Sequence, residues 1–166
     1  MKRVGELDFP RELVTLAHQV ADERIKRNAG NPDAYYHRGE DNGRINYIGA
    51  LGEIVVRWWC DTTGRKYTAS PLLDEKPVVD CDIVINGNRI DIKTTSRPNA
   101  VYVNHRAHRN TRKVNDGVLF VLIENSLPHF AQLFYATHAE VSAWPVEKLK
   151  YTEAFCWNGD LNEVLK

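Results

Sequence analysis

The sequence predicts an α/β (α+β) fold in which a central mixed β-sheet is flanked by helices. Three observations predict it. Two early stretches repeat apolar residues at helical spacing, and five later stretches read as strands, giving the order α-α-β-β-β-β-β. At 166 residues the chain has the size of one domain with a real core, and its 43% hydrophobic content is ordinary for a globular chain. No repeat, low-complexity segment or linker divides it, so residues 1–166 read as a single domain.

Residues 9–28 form the first expected helix. Asp8 is placed to cap it, Pro10 fits its first turn, and Leu13, Leu16, Ala17 and Val20 recur on one side. Residues 28–30, "NAG", are a stop signal. Residues 30–45 then read as a polar loop that carries Tyr35, Tyr36, His37, Arg38 and Arg44. The second helix, 46–60, has a wide apolar stripe of Ile48, Leu51, Ile54, Val55, Val56, Trp58 and Trp59. Only a narrow arc is left, and it holds Gly49, Ala50, Glu53, Arg57 and Cys60. A turn-rich segment (61–77), a hairpin (78–96) and a short strand, "AVYVNH", come next. A basic loop at 105–113 precedes a buried strand (117–125) and its partner (129–141), and "SAWPVEKLK" reads as the start of a short helix.

Composition excludes several classes. Cys60, Cys81 and Cys156 are odd in number and widely spaced, so neither a disulfide framework nor a structural zinc site is indicated. The longest apolar run is too short to span a membrane, and "MKRVGELDFP" lacks the apolar stretch of a secretory signal, so a cytoplasmic location is expected. Walker, GxSxG, HExxH and GxGxxG motifs are absent. Formal net charge is zero, which argues against gripping nucleic acid by bulk charge. The distribution is uneven, however: "HRAHRNTRK" at 105–113 has four cations, two histidines and no acid.

The chemistry concentrates in the hairpin, "VVDCDIVINGNRIDIKTTSR". Strand side chains alternate, so Ile83, Ile85, Ile90 and Ile92 face one way while Asp82, Asp91 and Lys93 face the other. The central turn residues are Asn86-Gly87 or Gly87-Asn88. The first choice sets Asp82 opposite Asp91, the second sets it opposite Lys93, and both keep the three on one face. Asp80 is in phase but lies roughly 7 Å further from the turn, which makes Asp82 the better partner for Asp91. Two carboxylates converging beside a lysine do not make a core. A divalent cation resolves the repulsion, and Mg²⁺ takes such oxygen ligands, with the Ile92 carbonyl as a further donor. Lys93 is then placed to hold or activate an attacking water and to offset transition-state charge.

"GALGE" on a helix followed by "DIVINGNRIDIKTT" on a hairpin resembles the PD-(D/E)xK nuclease superfamily, to which many restriction endonucleases, junction resolvases and phage nucleases belong. The resemblance covers residues 46–96 in motif and 117–141 in strand pattern. It implies a restriction-endonuclease-like αβββαβ core (about 46–141) and Mg²⁺-dependent hydrolysis of DNA phosphodiesters, with Mn²⁺ able to substitute. By position, Asp82 and Asp91 resemble the metal ligands and catalytic acids, Lys93 the catalytic lysine, and Glu53 the helix-borne acid that some members use as a further ligand. Cys81 stands where the pattern often has proline. An i,i+4 ion pair with Arg57 is the plainer account of Glu53. Arg38, Arg44, Asn104, His105, Arg106, Arg109, Arg112 and Lys113 are the expected nucleic-acid contacts. By analogy, a small nuclease that cuts both strands works as a homodimer.

Two other functions compete. A nuclease fold can serve as a non-cleaving nucleic-acid-binding module, although a pure binder gains little from carboxylates that repel DNA. A metalloenzyme acting on a small phosphoester is the third reading, and the basic segment argues against it.

Overall fold

The computed structural model describes residues 1–28, 42–73, 79, 81–99, 101–110, 115–149 and 152–164. Strand β1 (Lys2–Asp8) comes first, where the sequence pattern suggests no element. Its charged residues alternate poorly with Val4 and Leu7, as an edge strand with a solvated face allows. Helix α1 covers Arg11–Asn28 and so begins after Phe9 and Pro10. Helix α2 covers Asn42–Thr62, longer at both ends than the expected 46–60. Arg44 is therefore helical, not part of a loop. Residues 30–41 of that segment, with Tyr35, Tyr36, His37 and Arg38, lie outside the described residues.

Strands β2 (Tyr67–Thr68), β3 (Ile83–Ile85) and β4 (Asn88–Thr95) follow. Asn86 and Gly87 join β3 to β4 with φ of 49° and 85°, the two left-handed residues of a type I′ turn. Strand β5 (Val101–Asn104) runs into a short helix α3 (His105–His108), so the first part of the expected basic loop is helical. The Asn104 side chain caps that helix by accepting from the Ala107 N–H. Strand β6 (Gly117–Leu122) and strand β7 (Phe130–Thr137) are shorter than the runs that announced them. A capping box between Thr137 and Glu140 ends β7 and starts α4 (His138–Ser142). Strands β8 (Val146–Lys148) and β9 (Glu153–Trp157) and a 3-10 turn at Leu161–Glu163 complete the order. The helix expected in "SAWPVEKLK" is therefore strand β8. Pro145 biases Trp144 away from helical backbone, and Val146 pairs with Phe155.

The main sheet has the order β1-β7-β6-β4-β3-β2. It is mixed: β4 and β6 run parallel, and the other neighbours are antiparallel. A second sheet, β5-β9-β8, stands apart. Side-chain alternation in the central strands divides the core in two. Ile90, Ile92, Leu119 and Val121 face α1 and α2, where they pack with Val20, Ile54, Val55 and Trp59. Val118, Phe120 and Leu122 face the other way and pack with Val101, Val103 and Phe155 of the second sheet. Each large apolar side chain buried in this way contributes about 1.5–3 kcal/mol. The architecture is thus α+β, with the two long helices on one face of a mixed sheet and a small sheet, together with the short helix α4, over the other. Among the described residues no helix is long and apolar enough to cross a membrane.

Candidate active site

Register decides which polar groups meet. Ile83 pairs with Ile90, Val84 with Arg89 and Ile85 with Asn88. The same register carried one residue outward sets Asp82 opposite Asp91, which selects the Asn86-Gly87 alternative. Strand β3 ends at Ile83, so the Ile92 N–H has no ladder partner on that side. Asp82 supplies one: its Oδ2 accepts from Ile92 N at 2.7 Å. The carboxylate therefore terminates the ladder and is fixed by it. Asp80 lies outside the described residues.

Peptide orientation along β4 adds a donor. The Arg89 and Thr95 carbonyls accept from Asp116 N and Ile123 N, towards β6. Alternation turns the Ile92 peptide groups to the opposite side, where Ile92 N already meets Asp82. The Ile92 carbonyl thus shares the open edge with the Asp82 carboxylate.

Lys93 Nζ donates to Asp91 Oδ1 at 2.7 Å, so the lysine and one acid form a direct pair. Among the described residues Asp82 has the Ile92 N–H as a hydrogen-bond donor and no ion pair. Burial, and then the negative charge of Asp91, push its carboxyl up to about 7, against the opposing pull of the Ile92 N–H and Lys93. An acid held half-protonated near neutrality beside a second acid is an arrangement that a bound cation would relieve. Oxygen donors from Asp82, Asp91 and the Ile92 carbonyl fit a hard divalent ion, which needs only one or two carboxylates when phosphate oxygens and waters complete its shell.

Glu53 sits differently from the expectation. Its i,i+4 neighbour Arg57 makes no ion pair with it and instead donates from Nη2 to the Ser70 carbonyl at 2.6 Å. Glu53 is instead gripped by Arg24 of α1 through two hydrogen bonds of 2.9 and 2.7 Å. The Glu53 bond is the main cause that raises the Arg24 pKa, and the Asp82 charge adds to it. Arg24 is thus bonded to the helix-borne acid and lies close enough to the hairpin acid to feel its charge. Among the described residues, no three His, Cys, Asp or Glu side chains come together as a group that could hold a metal ion. Glu53 approaches the sheet all the same: neighbouring Gly52 packs so tightly on Thr94 that an added Cβ would collide with its hydroxyl.

The expected nucleic-acid contacts scatter. Arg38, Arg112 and Lys113 lie outside the described residues. Asn104 is occupied within the fold, donating to Thr152 Oγ1 at 2.9 Å and capping α3. The His105 ring packs on Phe155 with centroids 4.8 Å apart, and the Arg109 guanidinium lies 5.8 Å from the same ring. Arg106 is exposed on α3, and Arg44 lines a groove beside Lys93.

His108, one of the two histidines of the basic segment, meets His138, which sequence pattern did not single out. His108 and His138 stack at 3.9 Å, and His108 Nε2 lies 3.0 Å from Ser142 Oγ. Burial, and then His138, lower the His108 pKa, while the Asp91 charge acts the other way. Their meeting depends on α3 packing beside α4, which no local spacing announces. Compared with known proteins, the chain matches no family model, and no curated protein or solved structure matches it significantly.

Proposed function

We propose that the chain is a metal-dependent endonuclease that hydrolyses DNA phosphodiesters, and that α2, β2–β4 and β6 form a restriction-endonuclease-like core. One observation carries the reading: Asp82 and Asp91 face each other at the end of β3, with Lys93 bonded to Asp91 and Asp82 driven up to about 7. Perturbation of this kind, caused by burial and a like charge, is typical of sites built for chemistry.

Asp82, Asp91 and the Ile92 carbonyl would hold Mg²⁺, with Mn²⁺ able to replace it. The ion, when bound, polarises the phosphoryl oxygen and acidifies a water. The protein's own part is positional and electrostatic. The Ile92 N–H fixes the Asp82 carboxylate. Lys93, 40% exposed at its side chain, reaches solvent beside Asp91 and is placed to orient the attacking water and offset charge that develops on the phosphate. Glu53 enters the shell only if it leaves Arg24.

The test is incubation of plasmid, single-stranded DNA, a four-way junction and RNA with the protein in Mg²⁺ and in EDTA. Cleavage that needs the metal and is abolished by Asp91→Asn supports the reading. A Lys93→Ala protein that cuts as fast as wild type ends it. One observation favours a second reading, a non-cleaving nucleic-acid-binding module: Glu53 is already satisfied by Arg24. Tight DNA binding with no cleavage of any of these substrates selects that reading.

A further inference from the structure

A groove of about 490 Å³ opens between the start of α2 and the end of β4, next to Lys93. Its volume lies within the usual range for a small-ligand site. Three cations line it, Arg44 from α2 and Lys93 and Arg97 from β4 and the residues after it, and among the described residues no acidic one does. An anion is therefore favoured along its length. Tyr102 of β5 also lines it and is 53% exposed, although both its strand neighbours are buried. An aromatic ring held on a rigid strand yet left to solvent is a stacking platform, and a positive groove with such a platform is how single strands are held without sequence readout. Gly49 completes the shape. It lines the groove, and an added Cβ there would meet nothing within 4 Å. Its missing side chain leaves the wall low.

We propose that this groove holds one unpaired nucleotide beside the scissile phosphate, its phosphate among Arg44, Lys93 and Arg97 and its base against Tyr102. The favoured substrate is then single-stranded or locally unpaired DNA, because a base stacked within a duplex offers no free face to the ring. The proposal rests on the nuclease reading for the position of the scissile bond, but the groove can be tested without cleavage.

The experiment is done in EDTA with the full chain, using a short DNA oligonucleotide that carries one 2-aminopurine, followed by fluorescence and anisotropy. The single strand is expected to bind about tenfold more tightly than the blunt duplex of the same sequence and to change the probe's emission. Tyr102→Ala is expected to weaken single-strand binding by about tenfold. Gly49→Leu fills the groove and is expected to weaken binding similarly. Its thermal midpoint should be unchanged or higher, since leucine favours helix more than glycine does. Arg44→Gln and Arg97→Gln should each lower the salt dependence of binding by about one ion. Wild-type affinity in both Tyr102→Ala and Gly49→Leu, or a duplex bound as tightly as the single strand, overturns the proposal. If the groove variants lose binding while the wild type cuts nothing in Mg²⁺, the groove stands and the nuclease reading fails. If Mg²⁺-dependent cutting proceeds equally in wild type and Gly49→Leu, the nuclease reading stands and the groove fails.

Discussion

Arg24 of α1 holds both carboxylate oxygens of Glu53 on α2, at 2.9 and 2.7 Å. The side chains are 29% and 22% exposed, so the pair is screened only in part. Removal of either partner leaves a half-buried charge. Arg24→Ala and Glu53→Ala are each expected to destabilise the fold by about 1–3 kcal/mol in urea unfolding. A double-mutant cycle measures their coupling. Repeating the cycle with Mg²⁺ decides the role of Glu53: a smaller coupling means that the metal draws Glu53 from Arg24, and an unchanged one means that Glu53 stays a structural partner.

Asp82 makes stability depend on pH. Its carboxyl lies at about 7 in the fold, above the ordinary aspartate value. The folded chain thus keeps a proton that the unfolded chain releases between about pH 4 and 7. Unfolding sheds that proton, so stability falls as pH rises through this window and stays lowered above it. Asp82→Asn, whose amide oxygen can still accept from Ile92 N, should flatten the fall. In EDTA its thermal midpoint should exceed that of wild type at pH 8 and approach it near pH 4. A variant with the same slope as wild type would remove Asp82 as the source.

Divalent metal binding should follow the same proton with opposite sign. A carboxyl must be ionised to act as a ligand, so apparent affinity for Mg²⁺ or Mn²⁺ should strengthen as pH rises towards about 7 and level off beyond it. Calorimetry at several pH values reads this directly. Asp91→Asn removes both a ligand and the charge that raises Asp82, so it should weaken binding and shift the remaining pH dependence to lower pH.

Loss of Lys93 should affect rate far more than folding. Among the described residues its Nζ hydrogen-bonds only to Asp91, and its side chain reaches solvent. Lys93→Ala is expected to lower the cleavage rate by about 10²–10³-fold, the usual loss for one transition-state donor, with an unfolding midpoint close to wild type. A large drop in stability with normal rate per folded molecule would make it a structural residue.

Gly52 sets the closeness of helix to sheet. Gly52→Ala would drive a methyl group into the Thr94 side chain and is expected to cost about 1–3 kcal/mol. Thr94→Gly in the same chain should restore part of that loss, since the crowding atoms belong to Thr94.

The hairpin's two faces could be read from the sequence because their cause is local. Side chains in a strand alternate with period 2, and Asn86-Gly87 is among the few pairs that accept two left-handed backbone conformations in succession. Ile83, Ile90 and Ile92 against Asp82, Asp91 and Lys93 follow from that alone, and the α+β class follows from two helical stretches ahead of a run of strands. Strand β1 was hidden because an edge strand with one wet face carries little hydrophobic signal, and β8 because Pro145 suits a helix start as well as a strand entry. What the tertiary structure decided lies in long-range contacts. Arg24 meets Glu53 across 29 residues because α1 packs against α2. His108 meets His138 because α3 lies beside the start of α4. Lys93, Arg97 and Tyr102 share a groove with Arg44 and Gly49 because the end of β4, the residues after it and β5 come together beside the start of α2. Periodicity names the face a residue occupies; only the packed chain names the partner that faces it.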